Sequence, residues 1–527
     1  MCESAFIERN SFLKKILLLL CRQKKPKIKK SFAKKTKSIT KDNQMIDKKH
    51  FKINEKNPQI KNGVAAFLRF IKHIKLPKLF AKLPDKRQKG KIDYSISSLA
   101  LWAFSTCIFR QNSKNTFHTT LQNLGSDESK GILNLLQIED KINLPNYTTV
   151  DDALKNIHYE ELNNIIFHLF EQLKKRKLFY NHLELLSGDY FIIAADGHWT
   201  HTYDHPHVCD ENGNNTCTYC LPRKRYKGTP KEEIYWIHML VTFVLIFKDF
   251  SIPIYVYPLQ SNQVNTSQSD NKLKQECELQ AVHRVLQLIK DRFSKTKFLF
   301  LGDALYANTP FIKLCNDLNF EYKIVLKDNL KKVRQKCDEL ANLDFYKKSY
   351  AHKQKIKDKN NLILKNAAWF YNIQIEKDLF INVLRFSEEK KDENDQIISS
   401  YNGEWLCSKK TTQVNCFKEA QIARLRWLHE DVHNTLKNRG FNIKHDMSRK
   451  SPNLLIFWKI MIFIALFVFE IFRYSTIAIK CRKNLSFTQF AINLMHQLLK
   501  FSWDKIRDSP FLIKSKVQFR YVFARPQ

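Results

Sequence analysis

The sequence predicts an α/β protein in which helices cover the faces of a mixed β-sheet. Three observations lead to this fold class. Apolar residues recur at spacings of three and four between positions 64 and 180, which indicates helices. From position 187 the pattern changes to strand, hairpin, helix, strand, helix, strand. A polar stretch over 330–404 and a strongly helical stretch over 405–480 then follow.

The helical part comes first. The stretches VAAFLRFIKHIKLPKLF and ISSLALWAFSTCIF carry apolar residues at helical spacing, and Thr149 is a candidate N-cap for a further helix that runs toward residue 180. Residues 64–180 are therefore predicted to form a helical N-terminal domain.

The sheet begins in residues 187–329. A strand within DYFIIAAD ends on Asp196, and Ile234–Phe247 with Ser251–Leu259 read as a hairpin. A helix over Glu276–Phe293 and a buried strand over Lys297–Tyr306 come next, and a further helix and strand complete the segment. The order predicts a mixed sheet with helices on its faces.

The last third mixes strands with long helices. Residues 330–404 contain two strand-like runs, WFYNIQI and LFINVLRF, and residues 415–441 predict one long helix closed by Gly440. The apolar run Leu454–Phe472 is interrupted by Lys459 and Glu470. A charge near the middle of a bilayer costs about 2.5–3.5 kcal/mol, so we expect a buried core helix, with a membrane span as the alternative.

The charge balance indicates a polyanionic partner. The 527 residues include 89 Lys and Arg against 52 Asp and Glu, a net charge of +37. Such a protein is attracted to nucleic acid or, alternatively, to a membrane surface, although a general bias toward lysine contributes. Residues 1–60 are predicted to be a flexible basic arm and residues 481–527 a basic tail.

Histidine and cysteine are concentrated directly after Asp196. The 12 cysteines are otherwise scattered, which indicates a reducing compartment and predicts a cytoplasmic, nucleoid-associated protein. A candidate tetrahedral zinc set is His207, Cys209, Cys217 and Cys220; the alternative is a loop with free thiols. The basic string that follows predicts a DNA-facing loop through Arg223, Lys224 and Arg225.

Two acids occupy matching places at strand ends. Asp196 and Asp303 each follow a hydrophobic strand, and ligands gather beyond such strand ends in open sheets. Two carboxylates brought together repel each other unless a cation lies between them, and Mg²⁺ suits oxygen ligands. Alone, each aspartate could equally start a turn or cap a helix.

A third acid lies in the predicted long helix. At about 100° per residue, Arg426, Glu430, His433 and Lys437 fall within about 60° of one another, on one ridge of that helix. The ordinary alternative is a surface ion pair between Arg426 and Glu430.

This stretch resembles the motif of the insertion-sequence-four-like DDE transposases, Tyr-x2-Arg-x3-Glu-x6-Lys. Arg426, Glu430 and Lys437 keep the spacing, whereas Ala423 stands at the tyrosine position. AADGHW with Asp196 and LGDALY with Asp303 are similar to the family's two aspartate motifs, and the tryptophan of NGEWLCS to its tryptophan ahead of the glutamate helix. The resemblance covers about residues 95–475.

The resemblance implies an RNase H-like mixed sheet flanked by helices, with a β-rich insertion at 330–404 and a helical DNA-binding domain at 64–180. It makes 187–329 and 405–480 two parts of one catalytic core. Asp196, Asp303 and Glu430 would hold two Mg²⁺ or Mn²⁺ ions, while Arg426 and Lys437 would bind DNA phosphates. The implied activity is cutting of element ends and joining to target DNA by a homodimer on double-stranded DNA, without a membrane.

Three other functions remain open at this stage. A transposase-derived protein that binds DNA without cutting would keep the basic surface but lack activity. A nuclease of the same fold would cut but not join. A membrane-anchored basic protein would use Leu454–Phe472 as its anchor.

Overall fold

A computed structural model of the protein describes residues 63–499, apart from gaps at 124–125, 139–143, 177–178, 180–188, 212, 248–249, 262–276, 359–360, 449–450, 476–477, 480 and 482–484. The predicted arm, residues 1–60, and residues 500–527 lie outside the described part. The chain divides into two compact units. The larger comprises Phe70–Phe472 and Asn484–Ser515; of the smaller, only residues 63–69 and a few residues from 473 to 481 are described.

Helices fill the chain before the sheet, as the apolar spacing predicts. Helix α3 begins where the Ser95 hydroxyl accepts the backbone N–H of Ser98, and it is buried on all sides. The helices in this part are α1 Gly63–His73, α2 Leu76–Phe80, α3 Ile96–Ile108, α4 Lys114–Gln122, α5 Ser126–Leu136, α6 Tyr147–Leu154 and α7 Tyr159–Lys175.

The central sheet is mixed, as predicted. Its first strands are β1 Phe191–Tyr203, β2 Leu221–Arg225, β3 Glu233–Ile246, β4 Ser251–Pro258, β5 Phe298–Gly302 and β6 Glu321–Val325. Strands β3 and β4 form the predicted antiparallel hairpin, and β1 pairs antiparallel with β3. Strands β1, β5 and β6 run parallel to one another. Two helices, α8 Glu278–Arg292 and α9 Thr309–Asp317, connect β4 to β5 and β5 to β6.

Residues 330–404 form two helices and most of four long strands. They are α10 Lys331–Asn342, α11 Asp344–Ser349, β7 Ala351–Asp358, β8 Asn361–Glu376, β9 Leu379–Lys391 and β10 Ile397–Cys407. The strands pair antiparallel in sequence order, and β10 also pairs with β6 at Trp405 and Val325. The described strands therefore form one continuous sheet in the order β2-β3-β1-β5-β6-β10-β9-β8-β7, with β4 on β3.

The predicted single helix over residues 415–441 is two helices, α12 Cys416–Arg424 and α13 Trp427–Asn438. At the junction the backbone bonds shorten to three-residue steps, such as His429 N–H to the Arg426 carbonyl. Neither glycine nor proline marks this break, so the residue pattern did not reveal it. Gly440 follows α13 with φ +80°, as expected of a residue that ends a helix.

The long apolar helix α14, Pro452–Arg473, is buried throughout the packed chain. By length and composition alone this helix could also cross a membrane. Its lysine is accommodated because Lys459 Nζ lies 3.0 Å from Asp446 Oδ1 and donates to the carbonyl groups of Ile443 and His445. A buried charge with these partners is tolerated in a protein core.

Helices that precede the sheet in the chain pack directly on the rest of the larger unit. Asn163 of α7 exchanges two hydrogen bonds with Val256 of β4, and Trp102 of α3 packs edge-on against Trp458 of α14. These contacts join residues 70–180 to the sheet in one unit. Within the predicted tail, residues 481–527, Phe487–Leu499 form α15, a helix with six buried residues.

Candidate metal and nucleic-acid site

Asp303 lies at a strand end, where the sequence places it. Asp196 does not end its strand as predicted, because β1 stays paired with β3 and continues to Tyr203. The parallel pairing of β1 with β5 ends at Ala194 and Leu301, so Asp196 is just beyond it, opposite Thr242 of β3. Asp303 directly follows β5, and its Oδ1 accepts the backbone N–H of Leu305 at 2.9 Å. Asp303 therefore caps the turn that follows it, which is the ordinary alternative role, and it also lies at the candidate site.

Asp196 is held in surroundings that oppose its charge. Burial first, and then the neighbouring carboxylates of Glu278 and Asp303, raise its pKa to about 6. Arg426 and the backbone N–H of Gly197 act in the opposite direction. The side chains thus concentrate negative charge that a cation would neutralise.

Glu278 is an acid that the sequence reasoning missed. It is the first residue of α8, and its Oε1 accepts the Tyr306 hydroxyl at 2.6 Å. A Cβ atom on Gly197 would lie 2.3 Å from Glu278 Oε2, so this carboxylate rests against the residue next to Asp196. Burial, followed by the charge of Asp303, raises the pKa of Glu278, although the Tyr306 bond lowers it. A carboxylate in the first turn of the helix after the hairpin was the available clue.

Glu430 does not join this group of acids. Its carboxylate is about half exposed and binds Arg426 Nη2 at 2.8 Å, the i,i+4 ion pair named above as the ordinary alternative. Asp196, Asp303 and Glu430 do not bring one oxygen each to within 4.8 Å of one another; among the described residues, His207, Cys217 and His238 are the group that meets this distance. Since Arg426 also acts on Asp196, it links Glu430 to the acid pair.

His429 presents an unpaired nitrogen to Asp196. Its Nε2 donates to the Thr242 carbonyl at 2.9 Å, and its buried Nδ1 has no hydrogen-bond partner. Burial lowers the pKa of His429 to about 4, so the ring is neutral near pH 7 and Nδ1 carries a lone pair. That Nδ1 lies 4.0 Å from Asp196 Oδ2.

Of the predicted helix ridge, His433 is turned inward. Its side chain is buried, and its Nε2 lies 3.0 Å from the Thr242 hydroxyl. The break at the start of α13 places His429 and His433 against β3, while Glu430 stays near the surface.

An open groove of about 620 Å³ runs along β1 beyond Asp196. Lys437, a predicted DNA contact, lines it together with Lys444, which was not predicted. Burial and the charge of Lys444 lower the pKa of Lys437. Trp199 also lines the groove with 47% of its surface exposed. Two cations and an exposed aromatic ring are the features that a nucleic-acid strand uses.

The predicted basic residues Arg223, Lys224 and Arg225 form most of β2, the first strand in the sheet order. Lys224 is paired with Glu232 at 2.5 Å, and the Arg225 guanidinium stacks 4.5 Å from the centre of the Tyr235 ring. The strand is an exposed basic edge in which two of the three cations already have partners within the chain.

Three residues of the predicted zinc set come together, and one does not. His207, Cys217 and Cys220 converge on His238 of β3, which was not predicted. Cys209 is exposed, and its thiol donates to the Pro206 carbonyl. The prediction is corrected by exchanging Cys209 for His238; a strand histidine 18 residues beyond Cys220 gave no local spacing to recognise.

Comparison with known families adds no further guide. No protein-family model matches the sequence, and no curated protein matches it either.

Proposed function

We propose that this protein is a DDE-type transposase that cuts and joins DNA with divalent metal ions. The observation that carries the proposal is that Asp196 and Asp303 lie just beyond the parallel pairing of β1 with β5, with Glu278 against Gly197. Arg426 and a lysine-lined groove lie beside these acids. Acids that share a site hold a cation, and cations beside them hold a polyanion.

The donor chemistry suits a divalent ion, although Asp196, Asp303 and Glu278 do not bring one oxygen each to within 4.8 Å of one another. The lone pair of His429 Nδ1 faces Asp196 Oδ2 without a hydrogen-bond donor of its own, which is unfavourable unless a proton or a cation lies between them. Burial first, and then the charges of Glu278 and Asp303, raise the pKa of Asp196, and a cation would offset the repulsion between these carboxylates. Asp196 and Asp303 would hold the ions, with Glu278 as the third acid present.

When bound, a pair of Mg²⁺ or Mn²⁺ ions stabilises the attacking and the leaving oxygen of an in-line displacement at phosphorus. The chain's own residues do the rest. Lys437 and Lys444 bind phosphates along the groove, and Trp199 offers a surface on which a base can stack. Arg426 binds a phosphate next to the scissile one, in a bidentate manner.

Arg426 has a second part in this proposal. It is shared between Glu430 and Asp196 while no phosphate is bound. A phosphate that takes over the guanidinium would release Glu430, which the resemblance assigns to the metal set. Binding of DNA would in this way add Glu430 to Asp196, Asp303 and Glu278 only when substrate is present.

The fold supports the proposal at a coarser level. A mixed open sheet flanked by helices is the architecture expected of an RNase H-like core. The four antiparallel strands β7–β10 lie between Asp303 and Glu430, where the resemblance expects an insertion. The partner in this account is double-stranded DNA at the nucleoid in the cytoplasm. Two element ends must be paired, so the active form in this proposal is a homodimer. No membrane takes part.

The experiment is an assay of the full chain on the DNA that flanks its own gene. Wild type is expected to cut at the ends of that element in Mg²⁺ or Mn²⁺ and to join the 3′ ends to a target plasmid. An Asp303→Asn variant purified in the same way should bind the DNA but neither cut nor join it.

Each other outcome contradicts part of the proposal. Cutting without joining would identify a nuclease, and binding without cutting would identify a silent relative. Equal cutting by Asp303→Asn would show that the activity belongs to another site.

A further inference from the structure

We infer that His207, Cys217, Cys220 and His238 bind one structural zinc ion, a site independent of the proposed function. Two thiols and two imidazoles are a donor set that zinc takes in closed, tetrahedral sites. The Cys217-x2-Cys220 spacing lets both thiols reach one ion from a single turn of chain.

The distances suit such an ion. His238 Nε2 lies 3.1 Å from Cys220 Sγ and 3.6 Å from Cys217 Sγ. Ligand atoms of His207, Cys217 and His238 all lie within 4.8 Å of one another. In a tetrahedron with ordinary Zn–S and Zn–N bonds, neighbouring ligand atoms are about 3.3–3.8 Å apart. Cys220 lies outside the group of three that meets 4.8 Å, so side-chain rotation must complete the set.

His207 provides an independent observation. Both of its ring nitrogens are buried and have no hydrogen-bond partner. An imidazole must satisfy at least one of these atoms when it is removed from water, and a metal bond does so. The side chains of Cys217, Cys220 and His238 are also buried, so water does not compete at the centre.

The surroundings hold His238 in the orientation that zinc requires. Its Nδ1 lies 3.4 Å from the Tyr203 hydroxyl, which in turn donates to Asp446. Asp446 is fixed by the buried Lys459. When a carboxylate or hydroxyl accepts from one ring nitrogen of a metal-bound histidine, the other nitrogen is left free for the ion. Here that free atom is Nε2, which faces the thiols.

The site would fasten a loop with little apolar filling. The described residues between 204 and 216 carry no buried side chain, and Cys220 leads directly into β2 with its three basic residues. The zinc ion would tie this loop to His238 on β3 and so fix the register of the basic edge strand. Its role is structural, because four protein ligands leave no open position for water or substrate.

The test is the zinc content of the purified full chain, measured by inductively coupled plasma mass spectrometry after dialysis against a weak chelator. Wild type and the control Cys209→Ser should each carry one zinc ion per chain. Cys217→Ser, Cys220→Ser and His238→Ala should lose it. Retention of zinc in His238→Ala together with its loss in Cys209→Ser would overturn the ligand set.

A second measurement does not depend on variants that fold. Cobalt added to metal-free wild type should give the intense visible bands of a tetrahedral site with thiolate ligands, and zinc should displace them. Wild type that carries no zinc and gives only the weak bands of octahedral cobalt would refute the site. A Cys217–Cys220 disulfide found by mass spectrometry in freshly purified protein would refute it as well.

Discussion

The Nδ1 atom of His429 lies 4.0 Å from the Oδ2 atom of Asp196, and both atoms are acceptors at neutral pH. The His429 ring is held there by the bond from its Nε2 to the Thr242 carbonyl. Two lone pairs that face each other at this distance are a position for a cation. The sheet and helix α13 thus supply a nitrogen to a site otherwise made of oxygens.

This nitrogen predicts a preference for Mn²⁺ over Mg²⁺, because imidazole suits first-row transition metals whereas Mg²⁺ prefers oxygen. His429→Ala should lower the ratio of the Mn²⁺-supported to the Mg²⁺-supported nicking rate by about ten-fold. His433→Ala is the matched control, since His433 also contacts Thr242 but does not face Asp196. An equal fall of the ratio in both variants would contradict a ligand role for His429.

Asp196 predicts how stability varies with pH in a chelating buffer. Its pKa is about 6 in the folded chain, above the value of about 3.9 expected in the unfolded chain. The folded protein therefore holds an extra proton between these values, and stability falls as pH rises from about 4 to 6. Asp196→Asn removes this loss.

The variant should then be more stable than wild type at pH 7.5 and gain less at pH 4.5, measured by urea unfolding. Added Mn²⁺ should restore wild type at pH 7.5 but not the variant. If Asp196→Asn is the less stable protein at pH 7.5 without metal, the acids do not repel one another as described.

The contact between Gly197 and Glu278 allows a test of whether the Glu278 carboxylate belongs to the site. A Cβ atom at this position would come within 2.0 Å of Met239 Cε and 2.3 Å of Glu278 Oε2, so both flexible side chains must move. Gly197→Ala should cost about 1–3 kcal/mol of unfolding free energy and leave the fold intact. Metal-dependent nicking should fall by at least ten-fold.

Glu278→Gln should lose the same activity without the steric cost, since it keeps the shape of the side chain. Calorimetry and a nicking assay on both variants decide the matter. Wild-type nicking by Glu278→Gln would exclude this carboxylate from the site.

The groove predicts the salt dependence of DNA binding. Each phosphate contact contributes about 0.9 to the slope of log affinity against log salt concentration. Lys444→Ala and Lys437→Ala should each reduce that slope by about this amount, on any DNA sequence. Lys313→Ala should not change it, because this exposed lysine is paired with Glu376. A slope unchanged by the groove variants would place the DNA elsewhere.

The buried pair of Lys459 and Asp446 predicts a large loss of stability. Lys459→Met leaves Asp446 as an uncompensated buried charge, which should lower the unfolding free energy by about 3–5 kcal/mol. The double variant with Asp446→Asn should recover part of that loss. Urea unfolding measures both; a loss below about 1 kcal/mol for Lys459→Met would show that the pair is not buried as described.

The sequence predicts the strands that are runs of apolar residues, such as β3, β4 and β5, and it places Asp303 directly after β5. It does not predict β2, β7 or β10, which carry many polar residues, or the continuation of β1 beyond Asp196. The break at Arg426 does not follow from the sequence pattern, since neither glycine nor proline stands between α12 and α13.

Residues contributed by packing were missed for a related reason. Glu278, His429 and Lys444 reach the site from a helix start, a helix face and a loop, so no spacing along the chain joins them to Asp196. His238 is likewise a single histidine within strand β3. Their roles depend on which faces of the helices and the sheet pack together, and the spacing of residues along the sequence does not give that information.

The central claim is that Asp196 and Asp303 hold a divalent cation together. Titration of Mn²⁺ into the zinc-loaded chain, followed by the electron paramagnetic resonance signal of free Mn²⁺, tests it most directly. We predict saturable binding by wild type that weakens by at least ten-fold in both Asp196→Asn and Asp303→Asn. Wild-type binding by either variant would contradict the account.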